Sequence, residues 1–267
     1  MKELCFDIST WQRGINYDCI KSRAKYCILR AGFSTTKDNA FEEHYSNLCN
    51  LNLGAYWYSY AKNVDEARKE ARKFLEVIGD KKFTLPLFLD LEDPSIRGIG
   101  RNTLNDIVKV FGEVIENGGY YFGVYTNLDW YNNVISGHEL NKKYDWWIAC
   151  WGYDPVHENI NYGVWQYTSS YDADGVRLDA NYVYKDYPSI IREAGLNHLN
   201  DESIPEPTPT PTPDYDLLDL VRRTIRGDFG NGEERVQALG DKYDEVQNQV
   251  NLNYKHGTTN WDNIRIY

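Results

Sequence analysis

Residues 86–93 read PLFLDLED, an apolar run that ends in three carboxylates, Asp90, Glu92 and Asp93, within four positions. In a strand, side chains alternate faces, so Asp90 and Glu92 project together and Asp93 projects the other way. Two carboxylates on one face repel, and beside apolar walls one of them tends to keep its proton near neutral pH. A protonated acid next to an ionised partner is what cleavage of a glycosidic bond requires. Taken alone, the same pattern also fits a solvated strand-to-loop junction, or a Ca²⁺ or Mg²⁺ site.

Two more acids end strand-like runs: Asp7 in FDIS and Asp179 in RLDAN. Each by itself reads as a helix cap or turn acid. Gathered at one rim, Asp7, Asp90, Glu92 and Asp179 are hard to explain as caps. Aromatic residues accompany them: Tyr56, Trp57, Tyr58 and Tyr60 on one strand, and Tyr125, Trp147, Trp151, Trp165 and Tyr167 on others. By strand alternation roughly half belong to a core, and the rest can form stacking platforms for sugar rings. Other chemistries lack their signatures. There is no GxSxG elbow. His44, His138, His157, His198 and His256 form no HExxH or close pair, which argues against a zinc hydrolase. The spacing gives no support to a Cys–His nucleophile. No metal and no cofactor is expected.

The elements that must position these residues alternate along the chain. LCFDIS, YCILRAG, GAYWYSYA, TLPLFLDL and YYFGVYTN read as strands. Helix-like segments lie between them, around Tyr17–Ala24, in FEEHYSNLCNLN, in VDEARKEARKFLEVI and in TLNDIVKVFGEVIENG. The third places Ala67, Ala71, Phe74, Leu75 and Ile78 on one face. Gly118 and Gly119 stop the fourth. DWWIACW, YGVWQYT and VRLDANYVY then follow with little helix between them. Such alternation implies a parallel α/β sheet. Eight strand runs suggest a TIM-like barrel of five βα units and three bare strands, (β/α)5β3. An open doubly wound sheet is the alternative, and no GxGxxG follows the first strand to favour its dinucleotide-binding form. In a parallel barrel the C-terminal strand ends surround one mouth, which is where such folds carry their sites.

The chain has 267 residues, 42% of them hydrophobic and 15% aromatic, with 22 Tyr and 8 Trp. A net charge of −11 leaves no basic face for nucleic acid. Cys5, Cys19, Cys27, Cys49 and Cys150 form no CxxC pair and read as reduced thilols of a reducing compartment. The N-terminus MKELCFDIST has no apolar core of a secretory signal, and no run approaches the roughly 20 apolar residues of a membrane span, so no membrane insertion is expected. PEPTPTPTPD, Pro205 to Asp214, removes amide donors at alternate positions and reads as a semi-rigid tether of roughly 30 Å. The expected organisation is a catalytic domain over 1–200, a linker over 201–214, a small module over 215–252 and a tail over 253–267.

FDISTWQRGINYDCI, YCILRAGFST, GAYWYSYAKNVDEARKEARKFL, PLFLDLED, GVYTN, WIACWG and WQYTS…LDANYVY occur in this order. As a set they resemble glycoside hydrolase family 25, the N-acetylmuramidases that cleave bacterial peptidoglycan, over about residues 1–196. The resemblance implies the (β/α)5β3 barrel and cleavage, with retention, of the β-1,4 bond between N-acetylmuramic acid and N-acetylglucosamine. It puts the general acid at Glu92, with Asp90, Asp7 and Asp179 as its catalytic company. Tyr58, Tyr60, Tyr125 and Gln166 are the expected substrate-cleft residues. Either Asp90 or the substrate's own acetamido group then attacks the sugar. Two other readings stay open: a non-catalytic glycan-binding protein, and a chitinase-like barrel. The latter usually has a further Asp two positions before the DxE, where Phe88 stands.

DLLDLVRRTIRGDFGNGEERVQALGDKYDEVQNQVN reads as three short helices. Leu217, Leu220, Val221, Thr224 and Ile225 form the first stripe. Val236 and Leu239 mark the second helix. Asp244 is placed to cap the third, with Val246 and Val250 inward. The segment is a small packing or oligomerisation module on these residues alone, and a core this thin is one that oligomerisation would stabilise. It resembles the short cell-wall-binding repeat of some phage lysozymes, which implies muropeptide contacts around Arg226, Gly227, Gly230, Asn231, Gly232 and Arg235. A phage or prophage endolysin is expected, residing in the host bacterial cytoplasm before lysis and acting on the wall after release; a bacterial autolysin exported by another route would look similar.

Overall fold

A computed structural model describes residues 2–200, 217–260 and 263–266, and the proline-rich stretch read as a linker lies outside the described residues. These fall into two compact units, within residues 1–202 and 203–267.

The first unit alternates strands and helices as its sequence pattern requires. β1 (Glu3–Ile8) leads to α1 (Tyr17–Arg23), and β2 (Tyr26–Phe33), with a two-residue ribbon β3 (Thr36–Lys37), leads to α2 (Phe41–Leu48). β4 (Asn52–Tyr58) precedes α3 (Val64–Ile78), and β5 (Leu87–Asp90) precedes α4 (Arg101–Asn117). β6 (Phe122–Asn127) passes through a π-helical turn, Trp130–Val134, into the one-turn α5 (Gly137–Leu140). β7 (Asp145–Ala149), β8 (Val164–Ala173), β9 (Val176–Val183) and α6 (Tyr187–Glu193) complete the unit.

From β1 through β2, β4, β5, β6, β7 and β8 every neighbouring pair is parallel, and β9 lies antiparallel to both β8 and β1. The ring is therefore closed by eight strands, the (β/α)5β3 barrel. β9 reverses direction because β8 turns into it through Asp174 and Gly175, whose φ angles of 56° and 86° suit a two-residue hairpin of type I′.

α3 shows how local sequence builds the outer layer. The Asn63 side chain accepts from the Glu66 amide at its start, and Gly79 ends it. Ala67, Ala71, Phe74 and Ile78 are buried as their spacing predicts; Leu75 is only half-buried, and Val77 takes its place in the core. The barrel interior is filled by a separate cluster that includes Ile28, Tyr56, Phe88, Tyr125 and Trp147. Gly123 makes room for this filling, since a Cβ there would stand 2.6 Å from the Phe88 ring.

At the barrel's other end Asn197 holds three backbone groups. Its Nδ2 donates to the carbonyls of Phe83 (2.8 Å) and Leu85 (2.9 Å), and its Oδ1 accepts from the Tyr121 amide at 2.7 Å. Its φ of 55° is one that Asn tolerates better than Ala. Asn197→Ala is expected to cost about 3 kcal/mol by stranding these groups. In thermal unfolding that is a fall of roughly 6–12 °C in the midpoint.

Among the described residues the second unit has three α-helices, α7 (Leu217–Arg226), α8 (Glu233–Leu239) and α9 (Tyr243–His256). Val221, Leu239, Val246, Val250 and Ile264 form its core. Three details differ from expectation. Val236 is 44% exposed, because a helix of seven residues can bury one end while its middle faces water. Asp244 sits inside the first turn of α9, where its charge favours the helix dipole without a cap bond. The helix also runs past residue 252 to His256, and the chain then folds back so that Ile264 enters the core. Asn253 fastens this return, donating to the Arg265 carbonyl at 2.7 Å and accepting from the Arg265 amide at 3.0 Å.

Candidate active site

The four acids expected at one rim meet there. Asp7 and Asp179 are directly opposite in the β1–β9 register. Asp90 is the last residue of β5, so Glu92 lies beyond the ladder rather than in it. The alternation nevertheless carries on. Leu91 is held out in the core, its amide donating to the Tyr125 carbonyl (3.0 Å) and its carbonyl accepting from Thr126 Oγ1 (2.6 Å), and Glu92 turns into the same central hollow as Asp7, Asp90 and Asp179. Asp93 goes elsewhere. It accepts from the Tyr58 hydroxyl at 2.9 Å and from the Ser95 amide, bonds that hold its carboxyl below the usual range against the effect of burial.

Fixed donors orient the cluster. Asp7 Oδ2 accepts from Asn181 Nδ2 (2.8 Å) and Gln166 Nε2 (3.1 Å). The Gln166 carbonyl in turn accepts from the Tyr125 hydroxyl and from Trp151 Nε1, both at 3.2 Å. Asn181 Oδ1 accepts from Trp147 Nε1 at 2.7 Å. The Trp147 ring forms the floor, with Tyr56, Phe88 and Tyr125 packed around it at centroid distances of 5.8, 5.3 and 4.4 Å. Glu92 Oε2 accepts from Asn127 Nδ2 at 3.3 Å. Asp90 is only 4% exposed, and its Oδ1 has no hydrogen-bond partner.

Burial raises the proton affinity of the whole cluster. It lifts Asp90 well above the carboxylate range, with the charges of Glu92 and Asp7 adding and that of Arg30 opposing. It lifts Glu92 too, the charges of Asp179 and Asp93 adding and the Asn127 bond opposing. Asp7 is pushed from 3.8 up to about 8 by burial and then by the charge of Asp179, against the Asn181 and Gln166 bonds. Asp179 is raised by burial, with the neighbouring Asp7 carboxyl opposing that rise.

This has a consequence for stability. From pH 3.8 to about 8 the folded chain holds the Asp7 proton that the unfolded chain has released. Stability therefore falls as pH rises through that window, by up to about 1.4 kcal/mol per pH unit for one proton. Asp7→Asn removes that slope. Its thermal midpoint is expected to fall less than that of the unsubstituted chain between about pH 5 and about pH 8, leaving the variant the more stable of the two at the upper end. Parallel pH dependences would refute the raised proton affinity of Asp7.

The acid-lined hollow has a volume of about 160 Å³ and is flanked by two larger ones. The hollow on one side, about 500 Å³, shares Glu92 and Tyr125 with it and is lined further by Asn127, Asp129, Cys150, Trp151 and Tyr153. On the other side a hollow of about 390 Å³ shares Trp11, Arg30 and Tyr58 and adds Thr10, Phe33 and Tyr60. The result is a groove across the barrel mouth with the acids at its middle. Exposed rings stand along it, Trp11 at 82%, Trp151 at 58% and Tyr60 at 40% exposure. Of the expected cleft residues, Tyr125 and Gln166 lie inside the acid network, Tyr58 forms a wall and Tyr60 stands at the rim. Arg30, Asn127 and Asn181 were not expected. Asn181 was within reach of the sequence pattern, lying two positions from Asp179 on the same strand face. Among the described residues no group of three or more His, Cys, Asp or Glu side chains is placed to hold a metal ion.

In the second unit, the expected ligand residues lie in the turn between α7 and α8 and on the two helices that flank it, Arg226 ending α7 and Arg235 in the first turn of α8. Gly227, Gly230 and Gly232 all take positive φ there. Arg235 donates to the Gly230 carbonyl (2.8 Å), Asn231 Oδ1 (2.8 Å) and Gln247 Oε1 (3.0 Å), so it braces the loop, while Arg226 pairs with Asp228.

Two family models match the chain: the one described as glycosyl hydrolases family 25 over residues 6–176, and the one described as the CW_7 repeat over residues 219–253. Among solved structures, the modular autolysin LytC of Streptococcus pneumoniae superposes with a TM-score of 0.61 at 24% identity, over 68% of this chain and 47% of that one. The spore cortex lytic enzyme SleM of Clostridium perfringens gives 0.62 at 22% identity, over 68% and 67%. A family 25 lysozyme from Aspergillus fumigatus gives 0.58 at 21% identity, over 72% and 98%. The chain thus spans about half the length of the autolysin, and at these identities the likeness is one of fold. No curated protein matches the chain significantly.

Proposed function

From the premise that this chain belongs to glycosyl hydrolases family 25, we propose that it is a peptidoglycan hydrolase that cleaves the β-1,4 bond between N-acetylmuramic acid and N-acetylglucosamine. The observation that carries this reading is the pair at the centre of the groove. Burial raises the proton affinity of Glu92, which lines both the central hollow and the larger one beside it; Asp90 is buried next to it with one oxygen unpartnered.

Glu92 donates its proton to the glycosidic oxygen as the bond breaks. An N-acetylated sugar bound with its acetamido N–H on Asp90 Oδ1 supplies the missing partner. That bond and the nearby Arg30 charge both favour ionised Asp90. The ionised carboxylate then stabilises positive charge that develops on the acetamido nitrogen as its carbonyl oxygen closes onto the anomeric carbon. Water then attacks the anomeric carbon from the face the leaving sugar vacated, opposite the acetamido oxygen, with Glu92 now as base, and configuration is retained.

Mass spectrometry of fragments released from defined cell walls tests the reading. Reducing N-acetylmuramic acid ends are expected. Anhydromuramic ends would make the protein a transglycosylase, and reducing N-acetylglucosamine ends would place the cut at the other bond. The α7–α8 loop is proposed to bind a muropeptide, which raises the concentration of the barrel at the wall. With its brace removed by Arg235→Ala, a larger share of the protein is expected to stay in the supernatant when purified walls are sedimented; equal partition would set this role aside.

A further inference from the structure

Arg30 is the one cationic side chain lining the three hollows of the groove among the described residues. It lies in β2, whose run YCILRAGF is otherwise uncharged. One edge of its guanidinium is occupied. Nε donates to Asp38 Oδ2 at 2.7 Å, and Asp38 is itself buried and fixed by the amides of Thr10 (3.1 Å) and Ala40 (2.8 Å). The two terminal amino groups make no hydrogen bond to any described residue. The side chain stands on the wall between the acid centre and the groove of Trp11 and Tyr60. An arginine locked along one edge and open along the other is built to receive a carboxylate or carbonyl in a fixed orientation.

We propose that Arg30 is a specificity-determining residue whose open edge binds the lactyl carboxyl group on O3 of the muramic sugar, so that the cleft selects this sugar over N-acetylglucosamine. The inference rests on the muramidase reading and names the residue that makes it a muramidase. The acetamido group is on carbon 2 and the lactyl group on carbon 3, so they leave the ring side by side. A sugar whose acetamido meets Asp90 turns its neighbouring substituent toward the wall next to Asp90. Arg30 is the cation close enough to Asp90 for its charge to be felt there. The other charged residues of the central hollow are the four acids, which would repel a carboxylate. When a stem peptide is attached the lactyl group is an amide, and the same N–H donors meet its carbonyl.

The test uses the full chain made inactive by Glu92→Gln and two tetrasaccharides of equal length, one alternating N-acetylglucosamine with N-acetylmuramic acid and one of N-acetylglucosamine alone. Calorimetry is expected to show the alternating chain bound at least about tenfold more tightly, the size of a charged hydrogen-bonded contact. Adding Arg30→Met should abolish this preference. Arg30→Lys keeps a cation for Asp38 but loses the planar fork, and should reduce the preference to under about threefold with little change in thermal midpoint. A preference that survives both substitutions overturns the proposal. So does an equal loss of affinity for both glycans, which would make Arg30 a general support of the cleft. If the active chain leaves walls uncut, the muramidase reading falls and this one with it; if walls are cut and the preference does not move, only the role of Arg30 falls.

Discussion

Glu92→Gln is expected to lower kcat on purified walls by about 10³-fold, the usual size of a lost general acid, with the fold intact. Gln has the shape of Glu and still offers an oxygen to Asn127 Nδ2, which lies 3.3 Å from Glu92 Oε2. It also removes a carboxyl whose ionised form is penalised by burial, so the thermal midpoint should stay level or rise. Release of reducing sugar and thermal unfolding, measured on the same preparation, check both halves. A variant that hydrolyses walls at the original rate would remove Glu92 from the acid role. The pH profile of the unsubstituted enzyme carries the same assignment: kcat should fall on the alkaline side as Glu92 loses its proton, at a pH above the ordinary Glu range.

Asp90→Asn is expected to slow the reaction by about 10²–10³-fold, the cost of losing one electrostatic contact to a charge that exists only in the transition state. Asn keeps the size of Asp90 in a site that is 4% exposed, and its neutrality relieves the repulsion from Glu92 and Asp7. Removing a group that itself attacks carbon costs far more, on the order of 10⁶-fold where a nucleophile has been deleted. The size of the loss therefore separates the two routes. A second measurement makes the separation independent of magnitude: walls whose muramic acid has been N-deacetylated should resist cleavage if the acetamido oxygen attacks, and should be cut at a comparable rate if Asp90 does.

The site acids could be found in the sequence because apolar strands seldom end in carboxylates without a reason, and a barrel sends those ends to one place. PLFLDLED, FDIS and RLDAN carried that signal within a few residues each. α3 was equally plain, since fifteen residues are enough turns to establish a period. Arg30 was not. A single charge in an apolar strand has no local meaning until Asp38, eight positions later, folds back against it. The return of Ile264 to the core of the second unit is of the same kind, set by Asn253 holding Arg265 across twelve residues. Val236 shows the opposite failure, a correct helix too short for its pattern to say which side faces in.

The pairing of β1 with β9 places Asp7 against Asp179 and thereby ties the start of the barrel to its last strand. During synthesis the first of these acids leaves the ribosome long before its partner, and the ring has no means of closing until Val183 is out. Domains fold as units as the chain emerges, and contacts this distant in sequence form late. An unfinished or prematurely ended chain thus holds Asp7, Asp90 and Glu92 with nothing to assemble them against. On the proposed wall-degrading activity, hydrolytic competence then arrives in one step, with the completion of the barrel, and fragments left by abandoned translation are inactive.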